Sequence, residues 1–378
     1  MISRDFCRLP TLECRLMTRV RTIAISTGGG DCPGLNAVIR AATKSAILQH
    51  GWRVLGIEEG YNGLLWPDRI KELTMWNIRG ILPRGGTLLG TTNRSNPFSI
   101  KMNENGQEVV RDMSDTVIQN ARSLGIDAII NIGGDGTQTI GLKLHHKGLP
   151  VVGVPKTIDN DLSATETTFG FDTAVHVATE AMDRLHTTAE SHKRIMLVEV
   201  MGRDAGWIAL HSGIAGGSNV ILLPEIPFTV ERVAEHIRKR EFSGRRATII
   251  MVAEGIHIPK DLPVDLVEEW NRTPRRGAVS HLIGEAISRL IGREVRVTVL
   301  GHTQRGGTPS PFDRVLSTRF GVAAVDMIAQ EKFGYMAAVR GEEIISVPLE
   351  EAVSKQKVVD PDGELVRVGR SIGVCFGV

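Results

Sequence analysis

Aromatic residues are scarce in this chain, at 4% of 378 residues with only two tyrosines, which argues against a stacking surface for single-stranded nucleic acid. No dense run of Lys and Arg stands apart from acidic residues, and the net charge is +2, so the basic footprint of a nucleic-acid partner is missing as well. The four cysteines (Cys7, Cys14, Cys32, Cys375) make no Cys-x-x-Cys pair and no grouping with histidine. A disulfide scaffold and a thiolate metal centre are therefore not expected, and a reducing, cytoplasmic compartment is the simplest reading. No apolar run reaches the roughly 18 residues of a membrane span. The first twenty residues alternate Arg with apolar residues and lack the continuous core of a secretory signal. Residues 1–20 are expected to be a disordered extension, with a transit peptide as the alternative.

What the chain has in quantity is glycine, 41 residues, gathered mostly at the ends of apolar β-branched runs, where loops approach ligands. Strand-like and helix-like runs alternate almost throughout. Strands are predicted at Thr22–Ser26, Arg53–Ile57, Ala128–Ile132, Val151–Val154, Ile195–Val200, Val220–Leu223, Ala247–Val252 and Val295–Leu300. The pattern predicts an α/β protein of two doubly wound, three-layer αβα lobes with mostly parallel sheets facing across a cleft. Residues 21–168 with about 303–345 are assigned to one lobe, and residues 169–302 with about 346–378 to the other.

Ligands of such sheets bind outside the carboxyl ends of the strands, and five loops fall there: Gly28–Gly34, Gly133–Thr137, Pro155–Asp161, Met201–Gly206 and Gly301–Gly307. Ser26–Asn36 carries Gly28-Gly29-Gly30-Asp31 into a helix start, which suits an anion. It lacks the Lys-Ser/Thr of a Walker loop and the third glycine of a dinucleotide fingerprint, so a plain strand–helix turn is the alternative. Gly133-Gly134-Asp135-Gly136-Thr137 places an aspartate between glycines, either as a turn former or as a group aimed at a metal–phosphate. In Pro155-Lys156-Thr157-Ile158-Asp159-Asn160-Asp161 two carboxylates lie two apart and share a face if the loop is extended. Carboxylates repel phosphate, so these read as metal holders and a base for moving a phosphoryl group; the alternative is an Asx-turn with solvated charges. Arg194, Arg203, Arg296, His302 and Arg305 lie beside strand ends and make a phosphate receptor. Glu254 is an acceptor suited to sugar hydroxyls.

At these residues the chain closely resembles the 6-phosphofructokinase family, through Gly28–Asn36, Arg84-Gly85-Gly86-Thr87, Gly133–Thr137, Pro155–Asp161, Glu199–Arg203 and Leu300–Gly307. The resemblance implies a phosphofructokinase-like fold and transfer of a phosphoryl group from ATP, with Mg2+, to the 1-hydroxyl of fructose 6-phosphate. It implies Asp159 as general base, Asp135 as the Mg2+-linked carboxylate with Asp161 in support, and Thr157 and Arg203 around the transferring group. Gly29, Gly30, Arg94, Gly134, Gly136, Thr137 and Lys156 would bind the donor. Met201, Gly202 and Glu254 would contact the sugar, and His302 and Arg305 the 6-phosphate. Arg194 and Arg296 match arginines that reach in from a neighbouring subunit, which implies a homotetramer or homodimer. Arg40, Lys44, Glu225 and the Arg245/Arg246 pair resemble effector-site charges, although Met75 and His186 stand where that site would have arginines.

The donor signature is mixed. ATP users of this family carry glycine after the loop aspartate, as Gly136 here, whereas pyrophosphate users carry a second aspartate. Lys156 is instead what pyrophosphate users have. A carboxylate excludes a ligand by volume and repulsion while a lysine only attracts one, so ATP is the expected donor and pyrophosphate the alternative. An NAD- or lipid-kinase-like enzyme would share the Gly-Gly-Asp-Gly loop but not the Thr157–Asp161 run. A silent sugar-phosphate-binding subunit would be expected to lose Asp135 or Asp159. A nicotinamide-dependent dehydrogenase would need the missing glycine fingerprint.

Overall fold

A computed structural model of the protein describes residues 20–104, 106–272 and 279–378; the expected N-terminal extension lies almost wholly outside them. Strands are β1 (Thr22–Thr27), β2 (Arg53–Ile57), β3 (Ile70–Glu72), β4 (Ile100–Glu104), β5 (Gln107–Arg111), β6 (Ala128–Gly133), β7 (Val151–Pro155), β8 (Ile195–Val200), β9 (Val220–Leu222), β10 (Thr248–Ala253), β11 (Val295–Val299), β12 (Tyr335–Arg340) and β13 (Glu343–Pro348). Seven of them form one sheet in the order β13-β12-β7-β6-β1-β2-β3, and four form a second, β11-β8-β10-β9. The inner strands of both are parallel. Their sequences explain it: AIINIG, VVGVP and IMLVEV are buried along their whole length, as strands covered by helices on both faces must be. Antiparallel β3 and β13 close the edges of the larger sheet.

The strand order fixes where ligands go. The chain runs from β1 to β2 on one side and later returns to β6 on the other, so a crevice opens between the carboxyl ends of β1 and β6. In the smaller sheet β8 is the corresponding switch, flanked by β10 and β11. Two long helices, Phe171–His192 and Pro311–Ala329, carry the chain between the sheets. Asp313 ties them: its buried carboxylate accepts the backbone N–H groups of Gly170 (2.9 Å) and Thr173 (2.8 Å) and the Thr173 hydroxyl. Burial pushes this acid up to about 6, against the hydrogen bonds that favour its charge.

Near the C-terminus, β13 pairs within the larger sheet as far as Pro348, so residues 346–348 lie with that sheet and not with the one to which the sequence pattern assigned them. The strand-like pattern beyond is partly helix, at Glu364–Ser371. Cys375 then bridges to Val220 of the smaller sheet.

Candidate active site

The crevice between β1 and β6 is a cleft of about 570 Å³ lined by Gly28, Gly29, Gly30, Gly134, Asp135, Gly136, Thr137, Lys156, Thr157, Asp159 and Arg305, closed by Tyr61, Asn93, Asn96, Ile140 and Lys143. Buried side chains tie its rim together. Gln138 Nε2 donates to the carbonyls of Gly133 (3.0 Å) and Val154 (2.8 Å), stitching the ends of β6 and β7 together. Buried Asn131 accepts the Tyr61 hydroxyl at 2.9 Å and donates to the Thr137 carbonyl at 2.8 Å. Asn36 holds the 84–88 loop through its contacts with the Arg84 carbonyl and the Leu88 N–H. That loop packs so tightly on Gly307 that a β-carbon at Gly85 would lie 2.1 Å from its carbonyl oxygen. The Gly134 cap has no side chain over the helix Asp135–His146, which leaves the first-turn N–H groups available to an anion.

The carboxylates behave as a group. Asp159 lines the cleft, and its Oδ1 is buried with no hydrogen-bond partner. Burial, then the charges of Asp161 and Glu254, push its pKa up to about 6, while Arg305 and Lys156 act in the opposite sense. Asp161 is also raised, by burial first, although Thr157 donates to it. Asp135 is raised by partial burial and then by Asp161. Three acids from two loops therefore sense one another across one gap.

Facing them are cations from both sheets. Lys156 is buried, donates to the Gly30 carbonyl, and is lowered by that burial. Arg305, from the loop after β11, reaches across the gap and donates to the Asp31 carbonyl at 3.2 Å. Glu254, after β10, is raised by burial and by Glu199, and lowered by the Gly202 N–H, Arg305 and His302. Gly202 has φ 128°, and a β-carbon there would sit 2.6 Å from the Ala205 carbonyl, so glycine is required at the turn that aims Met201–Arg203 beside Glu254. Buried Gln304 holds the same turn by accepting the Met201 N–H at 3.3 Å.

Some sequence-predicted residues are not brought to this gap. Arg94 is exposed and outside the cleft wall, to which its neighbours Asn93 and Ser95 contribute; its N–H is turned back on Thr92 Oγ1 at 3.1 Å. Arg203 is exposed, and its backbone packs against Gly255. Arg194 precedes β8, and Arg296 is the second residue of β11, paired with Glu294 at 2.7 Å. Both occupy the amino ends of their strands, roughly 23 Å before Met201 and roughly 13 Å before Leu300 along the sheet at about 3.3 Å per residue. Glu225 Oε1 accepts the N–H groups of Gly206 and Val359, each at 2.9 Å, while its buried Oε2 has no hydrogen-bond partner.

Thr139, Ile140 and Lys143 were missed. They follow Asp135 at helical spacing on one face, so the periodicity of 135–143 carried the signal. Tyr61 and Asn96 come from irregular loops and had none. Among the described residues no three His, Cys, Asp or Glu side chains gather as a ready-made metal cage, and no helix is long and apolar enough to cross a membrane.

Comparison with known proteins agrees with this geometry. The family model described as "Phosphofructokinase" matches residues 22–328. An ATP-dependent 6-phosphofructokinase 2 of Clostridium perfringens is 51% identical over 96% of this chain and 100% of its own length. A pyrophosphate–fructose 6-phosphate 1-phosphotransferase of Streptomyces coelicolor is 49% identical over 94% of this chain and 99% of its own. Among solved structures, Pichia pastoris phosphofructokinase in the T-state superposes with a TM-score of 0.76 at 32% identity, over 92% of this chain and 36% of that longer one. With the glycine loops, the three acids and the cations that face them on one gap, the chain belongs to the phosphofructokinase family.

Proposed function

We propose that the protein transfers the γ-phosphoryl group of ATP to the 1-hydroxyl of fructose 6-phosphate, giving fructose 1,6-bisphosphate and ADP. The observation that carries this reading is the unpartnered, buried Oδ1 of Asp159 at the meeting point of the two sets of loops. A carboxylate with a pKa of about 6 is ionised at neutral pH yet basic enough to take a hydroxyl proton as the oxygen attacks. Lys156, Thr157 and the open N–H groups at the start of helix Asp135–His146 receive the charge on the transferring phosphoryl. Holding both reactants in line supplies most of the rate. Mg2+ fits the acids present: it is ordinarily held by one or two carboxylates plus substrate phosphates, and Asp135 beside Asp161 offers that. When bound with the donor it neutralises phosphate charge. An intact Asp159 and Asp135 leave no support for a silent regulatory subunit.

ATP is favoured as donor because of space. A β-carbon at Gly136 would meet nothing within 4 Å, so the fold does not demand glycine there and its bareness leaves room for ligand. From Asp135 to Lys143 the cleft runs about 12 Å along the helix at 1.5 Å per residue, ending at Ile140 and Tyr61, which suits a nucleoside and exceeds what pyrophosphate fills. Lys156 supports the second reading, pyrophosphate as donor, as does the similarity to the Streptomyces coelicolor enzyme. A coupled assay with fructose 6-phosphate and Mg2+ decides: turnover with ATP and little with pyrophosphate is expected, and the reverse would overturn the donor assignment.

On the acceptor side, Met201, Gly202 and Glu254 contact the sugar and His302 and Arg305 the 6-phosphate, while exposed Arg203 would have to swing inward to reach the transferring group. Arg194 and Arg296 serve the site of a neighbouring copy, so the working enzyme is a homotetramer or homodimer, acting in the cytoplasm.

A further inference from the structure

The Asp159–Asp161 loop has an awkward centre. Asn160 adopts φ 51°, a left-handed backbone that non-glycine residues enter at a cost, so the loop is kinked, not extended, between two acids of which Asp161 acts on Asp159. Its side chain is buried, and its Oδ1 accepts two hydrogen bonds: the Thr168 N–H at 3.1 Å and Lys357 Nζ at 2.9 Å. The lysine comes from a segment almost two hundred residues away in sequence. Its other two N–H groups go to the carbonyls of Thr165 (3.0 Å) and Glu166 (2.8 Å), so all three donors of the ammonium converge on one loop.

The segment around Lys357 is itself fastened at both sides. Toward the loop, the Lys357 N–H donates to the Asp161 carbonyl at 2.8 Å, Ser163 Oγ donates to the Lys355 carbonyl at 2.6 Å, and Leu162 bridges antiparallel to Gln356. Toward the smaller sheet, Trp207 Nε1 donates to the Lys357 carbonyl at 2.8 Å and Glu225 accepts the Val359 N–H. The segment is thus a strut from the helix Trp207–Ala215 to the loop carrying the acids.

We propose that Lys357 is a positioning residue of the phosphoryl-transfer centre, acting through Asn160 to hold Asp159 and Asp161 in register with the acceptor hydroxyl. The inference rests on the phosphofructokinase reading for its reaction but not for its geometry. An ordinary surface lysine would not direct every donor at main-chain and amide oxygens of one kinked loop, nor lie in a segment pinned to both sides.

The test is Lys357→Met, with Asn160→Gly and the double variant. Glycine accepts the left-handed backbone without strain, so Asn160→Gly removes the anchor and spares the kink, and it carries the test if Lys357→Met does not fold. We expect kcat to fall about tenfold to hundredfold in each, the scale of an ångström of misplacement, with KM for both substrates within about threefold. The double variant should be no worse than the poorer single one. Lys357→Arg, which keeps the charge, should recover part of kcat. Hydrogen exchange of the amides in residues 159–168 should quicken in Lys357→Met while the sheets stay protected. Unchanged kcat, losses that multiply in the double variant, or exchange that quickens throughout the molecule would overturn the proposal. Exchange needs no substrate. If the wild-type enzyme fails to phosphorylate fructose 6-phosphate while the loop alone loosens, the reaction assignment falls and the strut stands.

Discussion

The loops above the larger sheet and those above the smaller one are built to different degrees of completion. Around β1, β6 and β7 the cleft is closed within one chain: glycine loops, Lys156 and the acids line one cleft, and buried Gln138 and Asn131 lock its rim. Above β8, β10 and β11 the chain supplies Met201, Gly202, Glu254, His302 and Arg305, yet Arg194 and Arg296 stand at the opposite end of the same strands. The donor half is self-contained, whereas the acceptor half, on the proposed reading, is a partial receptor that a second copy would complete.

The largest effect tests the point where the halves meet. Asp159→Asn should lower kcat by roughly 10² to 10⁴, the usual contribution of a general base, with fructose 6-phosphate still binding in a ligand-dependent melting assay; near-normal turnover would remove it as base. Next comes the unequal completion itself. Arg296→Ala should raise KM for fructose 6-phosphate about tenfold to hundredfold, the worth of a charged hydrogen bond, and leave KM for the donor unchanged. Mixing Arg296→Ala subunits with Asp159→Asn subunits should restore activity, because an intact Asp159 then meets an intact arginine from a neighbour. No recovery after dissociation and reassembly would mean that each chain's site is its own.

Gly136→Asp sharpens the donor side. A carboxylate against the donor phosphates costs enough to raise KM for ATP about tenfold or more, with pyrophosphate use less affected; unchanged ATP kinetics would refute the volume argument. The smallest expected effect is a pH displacement. Only ionised Asp159 can accept a proton, and its pKa is raised to about 6, so kcat/KM should fall as pH drops through about 6. Asp161→Asn removes a neighbouring negative charge that helps to raise it, so the acid limb should move to lower pH. A limb that stays put or moves upward would show that the two acids are not coupled.

Much of this was legible in the sequence, and the exceptions are instructive. The inner strands announced themselves by unbroken β-branched runs, and the loops that follow them carried the glycines and acids, so cleft and chemistry could be read together. Edges could not: β3, β13 and the β4–β5 hairpin are half-exposed and have no such runs. Neither could contacts between distant segments. Arg94 matched the expected charge near the donor, but in this irregular loop the cleft wall takes the neighbouring Asn93 instead. Glu225 matched an effector-site acid, yet backbone N–H groups from two remote segments claim one oxygen of its carboxylate. Lys357 offered no pattern at all, because its partners are carbonyls and an amide on a loop far away in the chain.

The empty surroundings of Gly136 reach beyond kinetics. Since a β-carbon there would meet no neighbouring atom, a change at this position answers little to selection on folding. If Gly136 helps to set the donor, as proposed, that choice could drift without passing through an unstable ancestor. Relatives named for opposite donors could then be similar to this chain to nearly the same degree, and the Clostridium and Streptomyces enzymes stand at 51% and 49% identity overall.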